Sequence, residues 1–125
     1  MTRNFFLVGS LLAASLIVSA PSALAACQTT PVRFFPSQND TVSTTATVSG
    51  GVCEITYHSS GAFQFTSTIV VSRPQHGIIV RTGVAGIRYR VAKGFRGTDH
   101  ASVKFCGKGR TGSGCSTVNF NFNDP

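Results

Sequence analysis

Residues 73–105, RPQHGIIVRTGVAGIRYRVAKGFRGTDHASVKF, carry the strongest indication of how this chain folds. The segment reads as three short strands joined by two glycine-bearing turns. Apolar residues alternate with polar or charged ones in its later strands: Ile87, Tyr89 and Val91 in one, Ala101, Val103 and Phe105 in the next. A period of two places successive side chains on opposite faces of a sheet. The segment therefore predicts strands with one buried and one solvated face.

The two turns of this segment follow an ordered pattern. A Pro-x-x-Gly turn runs from Pro74 to Gly77, and a Gly-Phe-x-Gly-Thr-Asp loop contains Gly94, Gly97 and Asp99. With the strand that ends in Tyr and the apolar strand that follows, the pattern resembles the repeat unit of bacterial immunoglobulin-like and cadherin-like domains. The resemblance covers about a third of the mature chain and implies that the five turn residues are structural. Tandem arrays of such domains are associated with adhesion.

The rest of the chain shows the same alternation. Val118, Phe120 and Phe122, for example, alternate with Thr117, Asn119 and Asn121. After the signal segment, no ten-residue stretch has the apolar spacing of a helix. The pattern and the resemblance both predict an all-β, immunoglobulin-like antiparallel β-sandwich of about seven to eight strands. Residues 26–125 are expected to form this single domain.

The first 25 residues are typical of a secretory signal peptide. Arg3 is followed by an apolar run from Phe5 to Ser19, and Ala23-Leu24-Ala25 supplies the small residues that a signal peptidase needs. We therefore predict export to the periplasm or the extracellular space, with no transmembrane helix in the mature chain. A second interpretation remains open, because Leu24-Ala25-Ala26-Cys27 also fits a lipoprotein signal that would anchor the chain to a membrane through Cys27.

The mature chain has four cysteines, Cys27, Cys53, Cys106 and Cys115. Cysteines in an oxidising compartment pair by default, and lipidation of Cys27 would leave an odd number. Four cysteines allow three connectivities, and proximity favours Cys106 with Cys115 across the glycine-rich segment GKGRTGSG. That choice leaves Cys27 to pair with Cys53.

The charge of the chain is strongly basic and unevenly distributed. Without Arg3, ten Lys and Arg face four Asp and Glu, and nine of the ten bases lie between Arg73 and Arg110. Arg88, Arg90 and Lys104 occupy outward strand positions, which makes them a candidate anion-binding surface. An exported basic protein would meet anionic polysaccharide, lipopolysaccharide or cell-wall polymer. A basic face also gives solubility and protects edge strands, with no ligand involved.

The sequence contains no pattern that indicates catalysis, a cofactor or a metal. Gly112-Ser113-Gly114 lacks the frame of a nucleophile elbow, and the three histidines lack ligand spacing. The aromatic residues beside the bases alternate inward, which argues against nucleic acid as a partner. Nothing in the sequence indicates an oligomeric state.

Three functions are therefore compatible with the sequence. The first is a small exported, non-enzymatic binding or adhesion-type module that holds an anionic component of the cell envelope. The second is a structural envelope protein without a specific ligand, anchored or not through Cys27. The third is a secreted enzyme or enzyme inhibitor. The charge pattern favours the first, and we expect no enzymatic activity because no catalytic motif supports the third.

Overall fold

The structure is a computed structural model that describes residues 27–125, so the predicted signal peptide lies outside the described residues. The described chain contains eight strands and one short 3₁₀ turn, Pro36–Gln38. The strands are β1 (Gln28–Thr29), β2 (Thr41–Thr47), β3 (Val52–Thr56), β4 (Phe63–Ser72), β5 (Gly77–Arg81), β6 (Gly86–Val91), β7 (Gly97–Gly109) and β8 (Gly112–Asp124).

The strands form two sheets that pack as a sandwich, as the alternation predicts. One sheet has five strands in the order β1-β2-β8-β7-β4, and the other has three in the order β3-β6-β5. An immunoglobulin-like sandwich has its second, fifth and fourth strands opposite its third, sixth and seventh. Counted from β2 as the first strand, these places are taken by β3, β6 and β5 on one side and by β4, β7 and β8 on the other. Five of the six strand pairings are antiparallel, but β2 pairs with β8 in parallel, from Thr41 beside Thr117 to Thr47 beside Asn123.

The core lies between the two sheets and is built from the inward positions of every long strand. Val118, Phe120 and Phe122 of β8 are each at most 1% exposed, while the intervening asparagines face outward. Ile87 and Tyr89 cover them from the opposite sheet. The Tyr89 ring stacks on the Phe122 ring with centroids 4.0 Å apart. Burial of such side chains is the main source of stability, at about 25 cal/mol per Å² of apolar surface.

Two disulfides complete the scaffold, with the connectivity that proximity favours. Cys27 pairs with Cys53, and Cys106 pairs with Cys115. The first joins the residue before β1 to β3 and so links the two sheets, while the second crosses the β7–β8 hairpin between directly opposed residues. A sulfur in a disulfide cannot also carry a lipid, so this pairing does not fit the lipoprotein interpretation.

The glycine-rich segment between Cys106 and Cys115 is not the flexible loop that its composition suggests. Strand β7 continues to Gly109 and β8 begins at Gly112, which leaves only two residues in the turn. A Cβ atom at Gly114 would lie 2.4 Å from the carbonyl oxygen of Pro36. The 3₁₀ turn therefore packs directly on the hairpin, and glycine is required there by close approach and not by flexibility.

Candidate ligand-binding edge of the sandwich

The structure does not bring the three predicted basic residues onto one face. All three are exposed, but Arg88 and Arg90 belong to β6 in the three-stranded sheet, whereas Lys104 belongs to β7 in the five-stranded sheet. The outer faces of two packed sheets point in opposite directions. Alternation along a strand distinguishes inside from outside, but it does not say to which sheet the strand belongs.

These bases do flank a common feature, the edge at which β4 and β5 lie side by side. Strand β4 ends the five-stranded sheet and β5 ends the three-stranded sheet. Two hydrogen bonds join the two edges: Arg81 Nη1 donates to the carbonyl oxygen of Thr68 at 3.3 Å, and Thr68 Oγ1 donates to the carbonyl oxygen of Val84 at 2.8 Å. These two hydrogen bonds therefore hold the two edge strands in fixed positions relative to each other.

A groove of about 500 Å³ runs along this edge, and we call it the edge groove. Its lining consists of four aliphatic and two basic residues, namely Ile69, Val70, Ile79, Val80, Arg73 and Arg81. Ile79 is 3% exposed and belongs to the core, so the groove reaches down to the core between the sheets. The volume falls within the range of about 300–1,000 Å³ that is usual for ligand sites.

Exposed aliphatic side chains are concentrated around the groove. Among the described residues, those that are large, apolar and exposed are Ile69, Val71, Ile78, Val80 and Val84, at 45–65% exposure. All of them lie on β4, on β5 or in the turn after β5. A cluster of this kind on a small protein is typical of an interaction surface.

The sequence contains a pattern that predicts this exposed aliphatic cluster, but alternation alone does not reveal it. Ile69-Val70-Val71 and Ile78-Ile79-Val80 are unbroken apolar runs inside strands that otherwise alternate. In a strand with one buried face, such a run must place at least one aliphatic side chain in solvent. Both runs belong to edge strands.

The charge around the edge groove is positive on both flanks. Lys104 lies directly beside Ile69 on one side. Arg90 lies beside Ile78 and Arg88 beside Val80 on the other. Directly opposed side chains are about 5 Å apart, so each base is within reach of whatever lies along the edge.

The nearby acids balance only part of this charge. Among the described residues, the one ion pair joins Arg88 to Glu54 of β3, and both side chains are about half exposed. Asp99 is 2% exposed and its two carboxylate oxygens accept hydrogen bonds within the protein. Arg73 and Arg81, which line the groove, belong to no ion pair within residues 27–125. The groove therefore favours an anionic ligand.

The predicted turn residues support the end of the groove. Asp99 accepts hydrogen bonds from the backbone N–H groups of Gln75 at 2.9 Å and His76 at 3.0 Å, which lie between Pro74 and Gly77. It also accepts one from Tyr89 Oη at 2.8 Å. Burial, and then this hydrogen bond, raise the pKa of the Tyr89 hydroxyl. Asp99 thus ties the Pro-x-x-Gly turn to the start of β7.

The glycines of the second turn have the backbone that the loop requires. Gly94 has a φ of 84° and Gly97 a φ of 124°, both in the region that favours glycine. Gly77 is different, because a Cβ atom there would lie 2.5 Å from the carbonyl oxygen of Arg90. Gly77 therefore allows the Pro74–Gly77 turn to approach β6 closely.

Within the part of the chain that the structure describes, no three His, Cys, Asp or Glu side chains are grouped so that they could hold a metal ion. In residues 27–125, no helix has the length and apolar character needed to span a membrane. The chain matches no protein-family model, no curated protein and no solved structure. The edge groove combines exposed aliphatic side chains with two arginines that belong to no ion pair within residues 27–125, and it is the candidate ligand-binding site.

Proposed function

We propose that this chain is a small exported, non-enzymatic binding or adhesion-type module that holds an anionic partner along the edge groove. The strand order supports a relationship with bacterial immunoglobulin-like and cadherin-like domains. Two disulfides, together with the predicted signal peptide, support a place of action outside the cytoplasm. The candidates for the partner are anionic polysaccharide, lipopolysaccharide and cell-wall polymer.

One observation carries this proposal: Arg73 and Arg81 line a groove that has no acidic residue in its lining. An extended polyanion lying in the groove would meet these two guanidinium groups first and would then reach Lys104 on one flank and Arg90 on the other. Guanidinium groups bind carboxylates and phosphates through paired hydrogen bonds, which makes arginine well suited to such a role.

The test is retention of the protein on immobilised polygalacturonate during a salt gradient. Arg73→Gln combined with Arg81→Gln should weaken binding about tenfold, which corresponds to about 1.4 kcal/mol for two exposed charges. Lys108→Gln combined with Arg110→Gln is the matched control, because it removes the same charge at the β7–β8 hairpin, which lies at the other end of β4. The control should lose much less affinity.

Two results would contradict the proposal. Equal losses in both double variants would mean that the basic residues act as a dispersed solvated surface, as expected of a structural envelope protein without a ligand. Binding that does not weaken as salt rises would exclude an electrostatic site, because exposed charges are screened beyond about 8 Å at physiological ionic strength.

A further inference from the structure

We infer that the partner of the edge groove is an extended acidic polypeptide segment that adds to β5 as a further strand of the three-stranded sheet. This inference rests on the anionic partner of the proposed function, and it names a polypeptide in place of the polysaccharide, lipopolysaccharide or cell-wall polymer. Strand addition requires a free strand edge and side chains that fit a mixed aliphatic and acidic strand.

The backbone of β5 has an unpaired edge toward the groove. The N–H of Thr82 donates to the carbonyl oxygen of Gly86 at 3.0 Å, and the N–H of Ala92 donates to the carbonyl oxygen of His76 at 2.8 Å. Hydrogen-bonded pairs alternate along an antiparallel ladder. In the β5–β6 register, residues 78 and 80 therefore also bond to β6. The N–H and C=O groups of Gly77, Ile79 and Arg81 then point away from β6, and Ile79 and Arg81 line the groove.

The neighbouring edge of β4 is already engaged. The N–H of Phe65 donates to Ser59 Oγ at 3.0 Å, and the carbonyl oxygen of Thr68 accepts from Arg81 Nη1. Strand β4 is also irregular, with register shifts between Phe65 and Ser67 and between Val70 and Ser72. Bulges of this kind protect an edge from pairing. Strand β5 has no register shift in its pairing with β6, so it is the better template.

The side chains beside β5 match a strand that carries both aliphatic and acidic residues. On the outer face of the sheet, Ile78 and Val80 are 65% and 45% exposed, and Arg90 and Arg88 lie next to them. On the groove side, Val70 and Ile79 lie beside Arg73 and Arg81. A guest strand would therefore meet aliphatic surface and guanidinium groups on both of its faces.

Other occupants fit less well. A second copy of this chain would bring the same arginines to the same edge, and a mature chain with ten Lys and Arg against four Asp and Glu repels itself. A polysaccharide usually stacks on aromatic rings, whereas the apolar residues in the groove lining are all aliphatic. An anionic membrane surface would satisfy the aliphatic and basic side chains but would leave the backbone groups of Ile79 without partners.

The experiment uses a capped eight-residue peptide, Val-Val-Glu-Glu-Val-Val-Glu-Glu, which places both residue types on each face of a strand. Binding should slow amide hydrogen exchange of Gly77, Ile79 and Arg81 at least about tenfold, while Ile78 and Val80, already bonded to β6, change little. The same peptide N-methylated at every residue keeps its charge but loses the backbone donors of both edges, so it should bind about tenfold more weakly. The same peptide with lysine in place of glutamate should not bind.

Two substitutions at one position test the backbone contact from the side of the protein. Arg81→Gln and Arg81→Pro both remove the charge, but only the proline also removes the outward N–H, at a position where it breaks no bond to β6. Arg81→Pro should therefore bind the valine–glutamate peptide more weakly than Arg81→Gln. Both variants should bind polygalacturonate equally, because both lack the guanidinium group of Arg81.

Several outcomes would overturn strand addition. These are equal affinity for the N-methylated peptide, unchanged exchange at Ile79 and Arg81, and equal peptide affinity of the two Arg81 variants. Tighter binding to anionic phosphatidylglycerol vesicles, without protection of β5 amides, would assign the edge to a membrane surface. In each of these cases, salt-dependent retention on polygalacturonate would leave the proposed function standing. If salt-dependent retention on polygalacturonate is also lost, both the proposed function and strand addition are wrong.

Discussion

Tyr89 Oη donates a 2.8 Å hydrogen bond to Asp99 Oδ2, although the two residues are only 1% and 2% exposed. The same carboxylate also accepts the backbone N–H groups of Gln75, His76 and His100. Four donors therefore converge on one buried charge, which is the condition under which a buried carboxylate can be tolerated. This arrangement holds β6, the turn before β5 and the start of β7 together, and so positions one end of the edge groove.

The first prediction compares the only two tyrosines of the chain. Tyr89→Phe should destabilise the protein by about 1–3 kcal/mol, because Asp99 loses a buried donor. Tyr57→Phe should leave stability unchanged or raise it slightly. Among the described residues, Tyr57 Oη has no hydrogen-bond partner although it exposes less than 1 Å². Urea denaturation of both variants checks this. A larger loss for Tyr57→Phe would show that its hydroxyl is bonded, for example to an ordered water.

The second prediction concerns alkaline pH. Burial raises the pKa of the Tyr57 hydroxyl to about 12, against about 10 in an unfolded chain. The folded state thus keeps a proton that the unfolded state loses. Stability is retained below pH 10 and falls as the pH rises from 10 through about 12. A tyrosinate absorbance titration should therefore show little ionisation near pH 10 and a steep rise above it. Ionisation of one tyrosine centred at pH 10 would contradict this.

The third prediction separates two reasons for glycine. Gly77→Ala should cost about 1–3 kcal/mol, because the added Cβ would lie 2.5 Å from the Arg90 carbonyl oxygen. Gly97→Val should cost about 1–3 kcal/mol, because of backbone strain at a φ of 124°. Gly61→Ala is the control, since no atom lies within 4 Å of its Cβ position, and it should be nearly neutral. Denaturant midpoints that do not distinguish Gly77 and Gly97 from Gly61 would contradict both roles.

The fourth prediction concerns the disulfides. Replacing Cys106 and Cys115 by serine should cost about 3 kcal/mol, and replacing Cys27 and Cys53 should cost more, because their sequence separation is 26 instead of 9. Thermal unfolding of the two double variants provides the comparison. Peptide mapping of the non-reduced protein should recover both bridges. A Cys27–Cys115 peptide or an acylated Cys27 would contradict the assignment.

Alternation along the strands was enough to predict the β-sandwich and much of its core. Val118, Phe120 and Phe122 alternate strictly in the sequence, and all three are buried. The reason is that a strand with one buried face must repeat every two residues, whatever its neighbours are. The short separation between Cys106 and Cys115 was enough to predict the two disulfides that the structure contains.

The alternation pattern does not predict which strands pair with one another. Nothing in the alternation of Val42, Thr44 and Ala46 says that β2 runs parallel to β8. Nor does the alternation around Arg88 and Lys104 say that β6 and β7 belong to different sheets. Both facts arise from long-range packing between strands that are far apart in the chain. The edge groove has the same origin, because it exists only where the borders of two sheets meet.

The Cys27–Cys53 bridge also determines how the protein bears load. Strands β1 and β2 lie inside the covalent loop that this disulfide closes. When a pulling force acts at Cys27, tension passes through the disulfide directly into β3. The force therefore does not shear the parallel β2–β8 contact, and the chain between Cys27 and Cys53 cannot extend. In its reduced form the same domain would yield from its amino-terminal side first, so oxidation sets its mechanical strength.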